Sequence, residues 1–116
     1  LFADGSKDLR RGDVVELENF LYGETGEGSR MLKRIVGLPG ETVEISDGFL
    51  WVDGTPLTAA PFDRIRIGNE RMTMRTVPAE SYFVLGDNLA DSTDSRDLTV
   101  GMIREEDILG KVILEW

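Results

Sequence analysis

The chain has 116 residues, enough for one domain around one core, and its 41% hydrophobic and 30% charged residues exclude both a disordered chain and a membrane span. Thirteen basic residues against 22 acidic ones give a net charge of −9, which argues against nucleic acid and against docking on anionic lipid through a polybasic patch. There is no Cys and no His, so disulfides, Cys- or His-ligated metal and a Ser-His-Asp triad are all excluded, and hydrolytic chemistry here needs another base.

In chain order the pattern is mostly strand and turn. Val14–Leu17 follows Gly12-Asp13 as a short strand, and Arg30–Val36 is a second, rich in Met, Leu, Ile and Val. Leu38-Pro39-Gly40 supplies a turn, with Pro setting φ and Gly accepting a positive one. Thr42–Ile45 alternates, with Val43 and Ile45 on one face; Asp47-Gly48 is a hairpin signal, Phe49–Val52 the return strand, and Asp53-Gly54 a further turn. Pro56–Arg71 reads as irregular. Thr73–Val77 and Ser81–Leu85 are expected as strands on either side of Pro78. Arg104–Leu109 is expected to form one or two helical turns ended by Gly110, and Lys111–Leu114 a closing strand. No apolar stripe is long enough for a core helix. The expectation is an all-β domain over residues 1–116, a small barrel or two curled sheets of short, strongly bent strands, with at most a short helical turn near the C-terminus. No segment has the charged-then-apolar form of a signal sequence, no run reaches the roughly 20 apolar residues of a transmembrane helix, and the first residue is Leu1, so the chain reads as a piece of something longer.

Two places could do chemistry. Lys33 interrupts the apolar strand Met31–Val36 just before the Gly-Leu-Pro-Gly turn. It is either a solvent-facing lysine on a half-buried strand or a desolvated general base, which must be neutral and therefore needs its pKa brought about 2–3 units below the usual 10.4. The polar run Gly86-Asp87-Asn88-Leu89-Ala90-Asp91-Ser92-Thr93-Asp94-Ser95-Arg96 follows the apolar Tyr82–Leu85, so it is a loop off a strand end. It is an ordinary loop of Asx turns, a cation loop, or part of a site. Neither Asp87 nor Asp91 starts an EF-hand spacing, and Arg96 would oppose a bound cation.

Lys33-Arg34-Ile35-Val36-Gly37-Leu38-Pro39-Gly40-Glu41 resembles the lysine box of type I signal peptidases. Gly86-Asp87-Asn88, Ser92 and Asp94-Ser95-Arg96 are similar to the last box of that family, Arg11-Gly12-Asp13-Val14-Val15 to its early strand, and Phe49–Gly54 to the hairpin after the lysine box. Ile108–Val112 fits as well, and the boxes come in the family's order over nearly the whole chain. The resemblance implies a serine endopeptidase that removes signal peptides from secreted preproteins by a Ser-Lys dyad, without metal or cofactor. It implies a membrane protein whose catalytic domain lies on the extracytoplasmic side behind an N-terminal anchor. Residue by residue, Lys33 is then the base and Ser92 the hydroxyl that orients it. Arg34, Gly86, Asp87, Asp94 and Arg96 are supports of the site, with Asp87 placed to pair with Arg34, and Met31 and Leu32 lie on the strand that takes the extended substrate.

Two departures qualify the match. The family's Ser-Gly-Ser-Met-type serine box and its anchor do not occur here, and Ser6 lacks the neighbours of that nucleophile, so the serine is expected upstream of Leu1 and the chain alone is expected to be inactive. Asp97-Leu98-Thr99-Val100 separates Arg96 from Gly101 where many relatives reach glycine sooner, so the last turn of the loop is expected to depart from the family's. Two other readings share the fold: a non-catalytic relative acting in binding or pilus assembly, and a self-cleaving repressor. The first has no use for a buried lysine, and the second would carry a DNA-binding region that is not visible.

Overall fold

The computed structural model describes residues 2–4, 8–18, 30–98 and 100–113. Ser6, Ser29, Thr99 and Leu114 lie outside the described residues. Among the described residues ten strands run in chain order: β1 (Phe2–Asp4), β2 (Val14–Glu18), β3 (Arg30–Gly37), β4 (Thr42–Ser46), β5 (Phe49–Val52), β6 (Thr55–Pro56), β7 (Met72–Thr76), β8 (Ser81–Leu85), β9 (Ile103–Arg104) and β10 (Ile108–Ile113). Among the described residues the only helical pieces are single 3₁₀ turns at Phe62–Arg64, Leu89–Asp91 and Glu105–Asp107, so the fold is all-β, and no helix is long and apolar enough to cross a membrane.

The strands form two antiparallel sheets. The larger has the order β1-β10-β2-β3-β8-β9, the smaller β6-β5-β4-β7. The smaller sheet follows from local chemistry. Val43 and Ile45 on β4 and Leu50 and Val52 on β5 are buried on one face. Asp47 and Gly48 both take positive φ (52° and 79°), the geometry of a two-residue hairpin turn whose twist matches that of the strands. Asp53 and Gly54 repeat it (50° and 81°) and bring in β6.

The larger sheet buries both faces near its centre. On β3 and β8, Ile35, Tyr82 and Val84 face a core with Val15, Leu17, Ile103 and Ile108, while Val36, Phe83 and Leu85 face a second core with Val43, Ile45, Leu50 and Met72 of the smaller sheet. This accounts for the unbroken apolar run Tyr82–Leu85 of β8, a strand whose five residues, Ser81 included, are all buried.

Two expectations need correction. The strand expected over Thr73–Val77 begins one residue earlier, at Met72, whose side chain is core. The helical turns expected over Arg104–Leu109 shrink to Glu105–Asp107, and the closing strand starts at Ile108, with Gly110 inside it. The cause is Ile108, which is buried beside Val15 and Leu17 and pairs with Leu17 across the sheet; an irregularity between Ile108 and Gly110 absorbs the extra residue.

Candidate active site

β3 brings Lys33 to the site. Strand alternation gives it the face shared by Met31 and Ile35, and its backbone lies opposite Val15 of β2. Beyond it, Arg34 pairs with Leu85 of β8, so Lys33 stands where β3 passes the end of β8.

The loop that leaves β8 folds back on that end. Ser95 runs beside Val84 as a false strand, its N–H donating to Val84 O (3.1 Å) and its Oγ accepting from Val84 N (3.0 Å). Asn88 caps the 3₁₀ turn, accepting from Ala90 N at 3.3 Å, and Leu89 plugs the core. Lys33 and the loop meet at Ser92: Lys33 Nζ donates to Ser92 Oγ at 3.0 Å, and Ser92 Oγ donates to Asp94 Oδ2 at 2.7 Å.

Asp94 is the charge on which the loop is built. Its side chain is fully buried. Oδ2 accepts from Ser92 Oγ, from Gly86 N (3.1 Å) and from Arg96 Nη2 (3.2 Å), while Oδ1 accepts from Arg96 N (3.2 Å) and Arg96 Nε (2.7 Å). A buried carboxylate is tolerated because its lone pairs are met by donors and its charge by a cation. Arg96 is spent in turn on Leu89 O (2.8 Å), Ser92 O (2.9 Å) and Glu70 (3.1 Å). The residues after Arg96 close a turn of their own, with Asp97 O accepting from Val100 N and Gly101 N, both at 2.9 Å. The loop therefore continues past Arg96 with the Asp94–Arg96 pair in place.

Burial pushes the Lys33 amine below its ordinary value; nearby Asp94 works against this and Arg96 adds to it. The physical ordering is that of a desolvated cation, whose neutral form gains when water is removed. Arg34 points elsewhere. It holds Asp87 with two contacts, Nε–Oδ1 and Nη2–Oδ2, both 3.0 Å, and its Nη1 donates to Gly12 O at 2.8 Å, tying the turn before β2 to the start of the loop.

Gly86 is where the packing is tightest. A Cβ at this position would collide with Ser92 Oγ, lie 2.7 Å from Ser92 Cβ and stand 3.5 Å from Lys33 Nζ. Gly86→Ala is therefore expected to drive Ser92 off Lys33, with a loss of about 1–3 kcal/mol from overpacking. A thermal melt matching that of the unsubstituted protein would show that the loop has room this geometry denies.

An open cleft of about 240 Å³ runs beside these groups, lined by Val14, Leu32, Lys33, Leu85 and Gly86 among others. On β3, β2 occupies one edge from Arg30 to Arg34, while β8 joins the other edge only from Arg34 onward, so among the described residues no strand pairs with that edge at Met31 and Leu32. Leu32 is 49% exposed there and Met31 half-buried. No cluster of metal-binding side chains exists among the described residues.

Seven of the residues singled out in the sequence thus lie in two adjoining groups, Lys33–Ser92–Asp94–Arg96 around Gly86 and Arg34–Asp87 beside them, with Met31 and Leu32 on the approach. Sequence reasoning missed Glu70 and Arg75. Arg75, on β7, donates from Nη1 to Ser95 O and from Nη2 to Arg96 O, both at 3.2 Å. Neither residue has a local signal, because what each does depends on which loop the smaller sheet meets.

The model of the family described as signal peptidase, peptidase S26, matches residues 1–116. The chain is 33% identical over 111 residues to signal peptidase I T of Bacillus subtilis (strain 168), covering 89% of this chain and 54% of that protein. It is 36% identical over 112 residues to signal peptidase I S of the same strain, covering 89% and 56%. It thus spans about half the length of such curated relatives. A crystal structure of a signal peptidase I from Enterococcus faecalis V583 superposes with a TM-score of 0.68 at 31% identity, over 91% of this chain and 97% of the other.

Proposed function

Because this chain belongs to the signal peptidase family, peptidase S26, we propose that residues 1–116 are one catalytic domain of a membrane-anchored serine endopeptidase that removes signal peptides on the extracytoplasmic side, with Lys33 as general base. The observation that carries this is the relay from Lys33 through Ser92 to Asp94. A hydroxyl has one hydrogen. With that hydrogen given to Asp94, Ser92 meets Lys33 as an acceptor and engages one N–H of the amine. The lone pair of a neutral, tetrahedral amine then points away from Ser92, free for a second hydroxyl.

The chemistry follows from that second hydroxyl. The nucleophilic serine gives its proton to the Lys33 lone pair as its oxygen attacks the scissile carbonyl. The resulting ammonium returns a proton to the leaving amine, which departs as the new N-terminus of the mature protein. Lys33, neutral again, takes a proton from water as the water oxygen attacks the acyl-enzyme carbonyl. It then returns that proton to the departing serine oxygen, which frees the signal peptide and regenerates the serine hydroxyl and the neutral amine. Asp94 and Arg96 hold Ser92 in register throughout, and the signal peptide adds as a strand to the edge at Met31 and Leu32.

The nucleophile is assigned to a serine N-terminal to Leu1. Of the described serines, Ser92 is committed to Asp94, Ser95 is buried against Val84, the Ser81 hydroxyl donates to Ala79 O at 3.3 Å, and Ser46 stands at the hairpin end of β4 in the smaller sheet. The test compares the 116-residue chain with a form extended N-terminally by a serine box of the family type, on a preprotein substrate. The extended form is expected to cleave and the 116-residue chain to leave the substrate intact. Cleavage by the 116-residue chain would put the nucleophile inside it and overturn the assignment.

A further inference from the structure

The loop that carries Ser92 is gripped from two sides. From within, Asp94 and Arg96 organise it; from without, one segment of the smaller sheet and its approach holds both ends. Arg66 N donates to Asp87 O (2.9 Å) and Arg66 O accepts from Leu89 N (3.1 Å), a lone bridge at the start of the loop. Glu70 meets Arg96 Nη1 at 3.1 Å. Arg75 places its two terminal nitrogens on the successive carbonyls of Ser95 and Arg96.

That last contact is the informative one. A guanidinium is a rigid planar fork, whereas an ammonium is a single point donor. Catching two consecutive carbonyls with one fork requires both peptide planes to turn toward Arg75, and so sets the backbone just after Asp94. Ser92 Oγ reaches Lys33 from the same short segment, and Asp94 joins the two ends through its contacts with Ser92, Gly86 and Arg96. A misplacement of about 1 Å at such a point is worth on the order of 10²-fold in rate.

We propose that Arg75 is a positioning residue, its forked contact with Ser95 O and Arg96 O holding Ser92 on Lys33. The smaller sheet then works as the back wall of the site in addition to closing the core. This deepens the reading of Lys33 and Ser92 as site residues and rests on it for its catalytic consequence, while the contact itself is testable without activity.

The sequence holds three lysines, Lys7, Lys33 and Lys111, so lysine side chains labelled with ¹³C and ¹⁵N give a readable NMR titration in the 116-residue chain. Lys33 is identified by its loss in Lys33→Met. Arg75→Met keeps the aliphatic stem and removes both donors; Arg75→Lys keeps the charge and removes the fork. The charges acting on Lys33 are those of Asp94 and Arg96, and burial outweighs both. Release of the loop therefore admits water and moves the Lys33 midpoint up, toward the ordinary value of about 10.4, in both variants. An unchanged midpoint in folded Arg75→Met overturns the proposal, and so does a rise in Arg75→Met with Arg75→Lys identical to the unsubstituted chain, since charge alone would then be responsible. If Arg75→Met does not fold, Arg75→Lys decides. In the extended, serine-bearing form, Arg75→Lys is expected to lower kcat about 10-fold or more with KM unchanged. A shifted titration with unchanged kcat would leave the positioning intact and remove the catalytic role of Lys33 instead.

Discussion

Lys33→Ala in the extended, serine-bearing form is expected to lower kcat/KM for a signal-peptide substrate on the order of 10⁴-fold, the upper end of what a positioned general base contributes. The fold is expected to survive, because Lys33 contributes one hydrogen bond to a Ser92 that Asp94 holds independently. The pH profile carries the sign. A lysine base works in its neutral form, and burial lowers the Lys33 value from that of a free lysine. Activity therefore rises with pH through that lowered value and reaches its plateau before about 10.4, where a free lysine titrates. Below the lowered value the amine is protonated and has no lone pair for the serine. Cleavage within 10-fold of the unsubstituted enzyme would assign the base elsewhere, and an acid limb at the free-lysine value would show that burial does not tune the amine.

Asp94→Ala is expected to produce the largest loss of stability. It removes the acceptor of Ser92 Oγ, Gly86 N and three Arg96 donors from a position with no solvent access, and it leaves Arg96, 13% exposed, without its main counter-charge. Breaking a buried pair from one side costs about 3–5 kcal/mol, because the remaining charge stays buried. For a domain of this size that is a fall in Tm of roughly 10–20 °C. Leu89 O, Ser92 O and Glu70 remain as partners of Arg96, which keeps the loss below the full cost of an orphaned ion. A thermal melt within about 2 °C of the unsubstituted protein would mean that water replaces the carboxylate and that the pair is not structural.

The exposed ion pairs stand in contrast to this one. Arg10–Asp8 and Arg104–Glu106 have side chains that are 66–77% exposed, and pairs of that kind contribute about 0–1 kcal/mol. Distance alone does not separate the two classes. What separates them is whether water is available to take over when a partner is lost.

What the sequence determined is whatever depends on neighbours along the chain. Alternation at Thr42–Ile45 and Phe49–Val52 about Asp47-Gly48 defines the hairpin, because a two-residue turn with two positive φ values leaves one register in which Val43, Ile45, Leu50 and Val52 share a buried face. The unbroken run Tyr82–Leu85 marks a strand buried on both faces. The absence of His narrows the choice of base, and Lys33 is conspicuous because a charge in an apolar strand needs a reason. Tertiary structure decided the rest. Ile108 and Leu109 read in the sequence as the end of a helical turn, and the pairing of Ile108 with Leu17 makes them strand, since burial of Ile108 in the core outweighs local preference. Only the return of residues 92–96 onto the end of β8 sets Ser92 Oγ 3.0 Å from Lys33 Nζ, although 59 positions separate them. The part played by Arg75 has no trace in its own strand: a guanidinium that holds two carbonyls acquires its meaning from which backbone arrives there, and that is settled by how the two sheets pack.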